Sequence, residues 1–247
     1  VLLCRCERHL TDHERSKIAL FTNVAEQAVI SLLDVDNIYR IPMVLHEQQL
    51  DRLVTDQLGL VPEREADLSD WEQVVHGMKH QGHEITVAMV GKYVEHSDAY
   101  KSLTEALAHG GLASNTKVNI RRIESNQLAS GDTSCLANCD AILVPGGFGE
   151  RGFQGKINAA QYARVNKVPY LGICYGMHAA VIDFAANVCG LEGANTTENQ
   201  RDAKHPVIGL ITEWRDQSGN VEQRDENSDL GGTMRLGAQD CHLKADS

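Results

Sequence analysis

The residues most suited to chemistry form the run Gly172-Ile173-Cys174-Tyr175-Gly176, where an apolar stretch gives way to a helical pattern. Glycines on both sides allow a turn so tight that flanking side chains would collide, and such a turn exposes the thiol above a sheet. The amides at the start of the next helix point at the sulfur and favour the thiolate. The run predicts a cysteine nucleophile for acyl transfer. The alternative is a buried cysteine that packs as a small hydrophobic residue.

A second candidate is the glycine-rich turn Val144-Pro145-Gly146-Gly147-Phe148-Gly149, which follows another apolar run. Glycines at such a place let backbone N–H groups approach a developing oxyanion. By itself the turn also fits a phosphate-binding loop or a plain turn. About one strand-helix-strand unit separates it from the cysteine run, and this spacing favours an oxyanion hole.

The elements that must position these two turns alternate regularly between apolar strands and amphipathic helices. The predicted strands are 85–91, 117–123, 141–145, 169–174 and 207–212, and the predicted helices are 100–109, 156–166 and 177–188. This alternation predicts an α/β fold with a doubly wound, mostly parallel sheet covered on both faces. Ligands of such sheets bind beyond the carboxyl ends of the strands, where both turns are expected.

The chain ahead of this pattern divides into two parts. Residues 1–60 mix short apolar runs with a predicted helix over 45–58, whose apolar residues recur at helical spacing. Residues 61–84 are polar and charged around Trp71, and we interpret them as an interdomain linker that leads into a domain over 85–247.

The composition excludes several classes of protein. With 42% hydrophobic and 23% charged residues, the 247-residue chain is neither disordered nor fibrous. It has no apolar run of membrane-spanning length and no secretion signal at its start, so we expect no membrane contact and a cytoplasmic location. A formal charge of -11 argues against a nucleic-acid binder. Seven irregularly spaced cysteines do not predict a disulfide framework.

Further motifs accompany the two turns. They are Gly91-Lys92-Tyr93, Asp98-Ala99-Tyr100-Lys101-Ser102, the run 191–198, Ile211-Thr212-Glu213-Trp214 and the run 228–237. Together they resemble the class I glutamine amidotransferase domain of the CTP synthase family. Upstream, the runs 17–21 and 34–39 resemble the end of that family's synthetase domain. The likeness therefore covers nearly the whole chain, with the amidotransferase part cut short at its C-terminus.

The resemblance implies a flavodoxin-like amidotransferase fold after a partial synthetase segment. It also implies that glutamine is hydrolysed and that the ammonia aminates UTP to CTP at the expense of ATP. Cys174 would then attack the glutamine carboxamide and form a glutamyl thioester. The family's oxyanion and glutamine contacts carry over onto Gly147, Tyr175, Gly176, Met177, His178 and Glu198. The Glu198 carboxylate suits the ammonium group of the substrate.

In the synthetase segment, the resemblance implies that Lys17 contacts the triphosphate of UTP or of the feedback inhibitor CTP. Asp34 and Val35 match positions beside the ATP base. Lys92 and Lys101 match a region that responds to GTP, the implied allosteric activator. The family works as a homotetramer. Because the chain has no Gly-x-x-x-x-Gly-Lys-Ser/Thr loop, we expect the ATP phosphate and Mg²⁺ site to lie outside it.

The sequence also departs from the family. His178 stands where the family has Gln, and Tyr175 where it usually has Leu or Gln. The family's general base is a histidine in a His-Pro-Glu run near the C-terminus, which is not among these residues. His178, His205 and His242 are not expected to reach the sulfur in line. We therefore expect no glutamine turnover by these 247 residues alone, although Cys174 could still be alkylated by a glutamine-like electrophile.

Two alternatives remain from the sequence. One is another class I amidotransferase or a related cysteine hydrolase, and the other is a catalytically silent module for binding or assembly. Two histidine-containing clusters resemble metal sites, and we predict that neither binds a metal. Their members are Cys4, Cys6, His9 and His13 in the first, and His76, His80 and His83 in the second.

Overall fold

A computed structural model describes most of the chain. The described residues are 1–61, 64–94, 98–147, 149–209, 213–215 and 221–223. The first unit pairs strand β1 (Leu2–Cys6) in parallel with β2 (Val29–Leu33), and helix α1 (Asp12–Thr22) connects them. Thr11 begins α1 through a capping box with Glu14, which satisfies backbone N–H groups at the helix start.

The predicted single helix over 45–58 is wrong. The structure has α2 (Ile41–Glu47) and α3 (Leu50–Gln57), separated at Gln49, whose φ is 60°. The break lets the Gln48 side chain accept from the Ser31 N–H at 2.9 Å and donate to the Ser31 carbonyl at 2.8 Å. These hydrogen bonds satisfy the N–H and C=O groups of Ser31 in β2, which would lack this partner if the helix were continuous.

The region predicted as a linker contains helix α4 (Ser69–Lys79). The ring of Tyr39, in the short 3₁₀ helix Ile38–Arg40, stacks on Trp71 of α4 at 6.3 Å between ring centres. The Tyr39 hydroxyl donates to Glu105 at 3.0 Å and lies 2.5 Å from His109 Nε2. Residues 61–84 are therefore partly helical, and the domain division at this region stays a prediction.

The main sheet has four strands in the order β4, β3, β5, β6, and every neighbouring pair is parallel. The strands are β3 (His83–Gly91), β4 (Thr116–Glu124), β5 (Ala141–Val144) and β6 (Tyr170–Gly172), and the helices around them are α5 (Lys101–Ala113), α6 (Phe153–Asn166) and α7 (Tyr175–Asn187). This arrangement confirms the predicted α/β fold with a mostly parallel sheet. None of the helices among the described residues is long and apolar enough to cross a membrane.

Alternate residues of β3 point to opposite faces of the sheet and build two cores. Val87 and Met89 pack on one face with Leu103 and Leu107 of α5. On the other face, the cluster contains Ala88, Val90, Ile142 and Val144 of the strands with Ala159 and Ala163 of α6. Because helices cover both faces of the sheet, a ligand is expected to bind at the carboxyl ends of the strands.

The predicted strand over 207–212 differs from the structure. Strand β8 (His205–Ile208) begins earlier and pairs in parallel with β7 (Ala194–Thr196) in a separate two-stranded sheet. Residues 210–212 lie outside the described residues, as do the motif residues 228–237. Strands β9 (Glu213–Arg215) and β10 (Val221–Gln223) pair antiparallel. The sequence did not predict β7, because two of its three residues, Ala194 and Asn195, are of types depleted in strands.

Two adjacent glycines of α5 should respond oppositely to alanine. A Cβ at Gly110 has open space, whereas one at Gly111 would overlap the Thr116 carbonyl oxygen and lie 2.9 Å from Val118 Cγ2. We expect Gly110→Ala to raise the free energy of unfolding by about 0.5–1 kcal/mol, and Gly111→Ala to lower it by about 1–3 kcal/mol. Denaturant unfolding measures both, and equal effects would contradict this packing of α5 on β4.

Candidate active site

Cys174 occupies a sharp turn between β6 and α7. It has φ 53° and ψ -113°, a positive φ that residues with side chains rarely adopt, and its side chain is exposed. The Gly176 N–H donates to the Ile173 carbonyl at 2.9 Å and closes the turn. Such strain at an exposed cysteine is typical of a nucleophile held at a strand-to-helix turn.

The flanking glycines are required by contact. A Cβ at Gly172 would lie 2.5 Å from Gly176 C, and one at Gly176 would overlap the Val144 carbonyl oxygen. Tyr170 donates its hydroxyl to the Gly176 carbonyl at 2.7 Å, and burial raises the pKa of this hydroxyl well above its usual range. The first turn of α7 is thus fixed directly against the carboxyl end of β5.

The structure brings the glycine-rich turn to Cys174. A Cβ built on Gly146 would lie 3.4 Å from Cys174 Cβ and 3.9 Å from its Sγ. Gly147 and Gly149 have φ of 123° and 86°, and Phe148 lies outside the described residues. The two predicted motifs therefore meet, while the roles of Gly147 and Tyr175 in holding an oxyanion stay predictions.

Glu198 also reaches this turn. It follows β7, and its Oε1 accepts from the Gly149 N–H at 3.2 Å. One carboxylate oxygen is thereby fixed against the glycine-rich turn, and the side chain acts electrostatically on Tyr175 and His178 after the cysteine turn. Its binding of the substrate ammonium remains a prediction that this placement favours.

His178 lies one helical turn beyond Cys174. Its side chain is half-buried, and its Nδ1 is buried without a partner among the described residues. Burial lowers the pKa of His178, and the Glu198 charge opposes this effect. The neutral ring is thus favoured. No histidine ring of the described residues hydrogen-bonds Cys174 Sγ. His205 begins β8, and His242 lies outside the described residues.

The three neighbouring positions of α7 differ in what they expose. The Tyr175 side chain is fully buried, donates to Asn199 Oδ1 at 2.5 Å and packs on Phe153 at 4.4 Å between ring centres. Burial raises the pKa of Tyr175 to about 12. Gly176 is buried against β5, and Met177 is 52% exposed. The geometry leaves only main-chain groups of Tyr175 and Gly176 for a ligand, whereas Met177 can offer its side chain.

Sequence reasoning missed Lys156. It is fully buried, and its Nζ donates to the carbonyls of Pro145, Gly146 and Gly147 at 3.1, 3.2 and 3.3 Å. Lysines are almost never fully buried, so one at a helix start is normally read as a surface charge. The available signal was spacing, because Lys156 lies three positions after the buried Phe153 and four positions before the buried Ala160.

Lys92 lies at the other end of the same turn. Its Nζ donates to the Gly149 carbonyl at 3.1 Å, and its side chain is buried. Burial lowers the pKa of Lys92, and the Arg151 charge lowers it further. Lys101 is an exposed residue at the start of α5. The GTP-responsive role predicted for both lysines stays a prediction.

The predicted nucleotide contacts lie in the first unit. Lys17 is exposed on α1, and Asp34 and Val35 directly follow the carboxyl end of β2. The Asp34 carboxylate accepts from Arg5 at 2.9 Å, an exposed ion pair of small stabilising effect. Asp34 and Val35 lie beyond the end of a parallel strand, where α/β sheets bind ligands. The nucleotide roles of Lys17, Asp34 and Val35 stay predictions.

In the part of the chain that the structure describes, no three potential metal ligands group together, and the expectation that neither histidine-containing cluster binds a metal stays a prediction. The Cys6 thiol donates to the Cys4 carbonyl at 3.3 Å. The His76 and His80 rings stack at 4.2 Å, and His80 Nδ1 lies 3.0 Å from the His76 carbonyl oxygen.

Comparison with known proteins decides the family. A sequence model of the class-I glutamine amidotransferases matches residues 95–247. The chain belongs to the class I glutamine amidotransferase family. A model of the CTP synthase N-terminus matches residues 1–60, and the two matches together confirm the resemblance to CTP synthase.

One solved structure similar to this amidotransferase is the glutaminase domain of Trypanosoma brucei CTPS with bound acivicin. The two share 37% sequence identity with a TM-score of 0.49, and the match covers 55% of this chain and 53% of that chain. This chain therefore spans about half the length of that structure.

The lowered pKa of His178 predicts a pH effect on stability. Because the folded protein disfavours the charged ring, stability present above about pH 6.5 is lost as the pH falls below that value. We expect His178→Gln to lose less unfolding free energy than the wild type between about pH 7 and about pH 5. Parallel pH profiles of the two proteins by denaturant unfolding would contradict the burial of a neutral His178.

Proposed function

We propose that the chain carries the glutamine-hydrolysing site of a CTP synthase, which supplies ammonia for the ATP-dependent amination of UTP. The observation that carries the proposal is the strained, exposed Cys174 at the start of α7, in contact with the glycine-rich turn after β5. In this position the thiol can act as the nucleophile, and nearby backbone N–H groups can stabilise an oxyanion. Acyl transfer requires both groups.

In the proposed reaction, the Cys174 thiolate attacks the carboxamide carbon of glutamine. A carbon–sulfur bond forms while the carbonyl electrons move onto oxygen, and the N–H groups of Gly147 and Tyr175 stabilise this oxyanion. Collapse of the intermediate breaks the carbon–nitrogen bond, and the nitrogen takes a proton from water and leaves as ammonia. Water then hydrolyses the thioester and releases glutamate.

In the proposal, one charged residue and several neutral residues recognise glutamine. Glu198 offers a carboxylate to the substrate ammonium, and its contact with the Gly149 N–H fixes it beside the site. The exposed Met177 side chain and the neutral ring of His178 would contact the aliphatic stem and amide of the substrate, and Gly176 would contribute main-chain groups. Neutral residues here avoid placing a second charge against the carboxamide.

The synthetase side of the proposal uses the first unit. Lys17 has an exposed ammonium group that suits the triphosphate of UTP or of CTP as feedback inhibitor. Asp34 and Val35 would lie beside the ATP base. ATP would supply the phosphoryl group that activates UTP, with Mg²⁺ neutralising its phosphates. The described residues contain no cluster of carboxylates that fits Mg²⁺, so we assign no residue to the metal.

Regulation, assembly and location complete the proposal. GTP would act as an allosteric activator near Lys92 and Lys101, and the working form would be a homotetramer. A cytoplasmic location is supported by the free thiols of the described cysteines, because disulfides are rare in reducing compartments.

Covalent labelling tests the amidotransferase site. A glutamine-like diazoketone should add once to Cys174, forming a carbon–sulfur bond with loss of N₂, because the pocket directs the reagent to this thiol. Mass spectrometry should find the label on Cys174 in the wild type and in Cys189→Ala, which removes another exposed free cysteine. Cys174→Ala should take up none.

Two outcomes would contradict the proposal. One is equal labelling of Cys174 and Cys189, which would mean that the reagent meets only exposed thiols. The other is the absence of any adduct in a folded wild-type protein. Excess glutamine should slow the labelling of Cys174, and a rate that glutamine leaves unchanged would also count against a glutamine site.

A further inference from the structure

Three successive carbonyl groups converge on a single buried ammonium group. The Lys156 Nζ donates to the main-chain oxygens of Pro145, Gly146 and Gly147, all between 3.1 and 3.3 Å, and forms no ion pair with a carboxylate of the described residues. Carbonyl oxygens so close together repel one another unless a cation lies between them. The shape of the glycine-rich turn therefore depends on the charge of Lys156.

Side-chain packing cannot fix the shape of the turn at Gly146 and Gly147. Gly146 and Gly147 carry no side chains that could pack, and the φ of 123° at Gly147 is available mainly to glycine. Without a brace, such residues sample many conformations. Hydrogen bonds from a buried charged donor are among the stronger ones in proteins, so three of them select one conformation of the turn.

The direction of the N–H groups follows from the direction of the carbonyls. In a planar trans peptide the N–H points opposite to the C=O, so carbonyls that face Lys156 turn the N–H groups of Gly146 and Gly147 away from it. Gly146 is the residue that lies against Cys174. Lys156 therefore fixes the direction in which these two N–H groups point.

Packing keeps Lys156 in place. Phe153, one helical turn earlier on α6, packs on the Tyr175 ring at 4.4 Å, and Lys156 Nζ lies 5.6 Å from the centre of that ring. Asn158 Nδ2 donates to the Leu128 carbonyl at 2.7 Å and anchors the same helix. The lysine therefore comes from a rigid element that also contacts the cysteine turn.

We propose that Lys156 is a positioning residue, which orients the N–H groups of the turn from Pro145 to Gly147 toward the oxyanion formed at Cys174. The proposal rests on the function proposed above. It predicts that reactions at Cys174 that build negative charge on a carbonyl oxygen depend on Lys156, whereas a simple displacement at the same sulfur does not.

The charge of Lys156 is itself sensitive to pH. Burial and, to a smaller extent, the nearby Lys92 charge lower the pKa of Lys156 to about 8, while Cys174 acts in the opposite direction. The uncharged Tyr175 ring also faces the ammonium. Loss of the proton would remove the charge and one donor, so the brace should weaken as the pH rises through about 8.

The test compares two reagents on Cys174 in the whole chain. A glutamine-like diazoketone needs its ketone oxygen to be held, whereas iodoacetamide alkylates the thiolate by direct displacement. The ratio of the two rate constants, measured by mass spectrometry of the peptide that contains Cys174, cancels changes in the thiolate fraction. We expect Lys156→Met to lower this ratio by about tenfold or more, since losing one oxyanion donor costs about 10²–10³ in rate.

Two further variants separate positioning from folding. Lys156→Arg keeps the charge and the donors and should keep the ratio within about threefold of the wild type. Lys167→Met removes an exposed lysine just after the same helix and should leave the ratio unchanged. An unchanged ratio in folded Lys156→Met, or an equal slowing of both reagents, would overturn the proposal.

The wild type provides a second arm should Lys156→Met fail to fold. Its ratio should fall above about pH 8, and that of Lys156→Arg should stay level, because arginine keeps its charge. A level ratio in the wild type would overturn the role of Lys156. By contrast, a wild type that the diazoketone never labels would contradict the proposed glutamine site itself, so the two failures are distinguishable.

Discussion

The direct contact of α7 with the end of β5 is the constraint on which the site depends. The main chain of Gly176 lies so close to the Val144 carbonyl that no side chain fits between them, and Gly172 meets the same helical turn. This approach forces Cys174 into a positive φ and presents its sulfur to Gly146. A single methyl group at either glycine would separate the nucleophile from the glycine-rich turn.

Local charge at the site differs from that of the protein as a whole. The chain has a formal charge of -11, yet the buried ammonium groups of Lys156 and Lys92 bind the two ends of the glycine-rich turn. Both act through carbonyl groups of the turn, and we propose that N–H groups of the same turn serve the oxyanion at Cys174. Glu198 supplies the negative charge nearby, where the proposed substrate carries its ammonium. In this proposal, the site separates a region for an oxyanion from a region for a cation.

Local patterns in the sequence predicted the parallel strands, their helices and the meeting of the two turns, because each rests on periodicity or on glycine at a strand end. The break at Gln49 was missed, since it depends on bonds from Gln48 to a strand 17 residues away in sequence. Lys156 was missed for a similar reason. Its partners are main-chain carbonyl groups, which every residue has, so the residue types around it do not reveal the contact. Strand β7 depends on its pairing with β8 more than on its own composition.

The central claim is that Cys174, the glycine-rich turn and Glu198 together bind glutamine for attack on its carboxamide. A crystal structure of the chain after reaction with the glutamine-like diazoketone tests this most directly. The account predicts a carbon–sulfur bond at Cys174, the ketone oxygen within about 3 Å of the N–H groups of Gly147 and Tyr175, and the ligand ammonium on Glu198. An adduct whose oxygen points into solvent, or one formed at another cysteine, would contradict it.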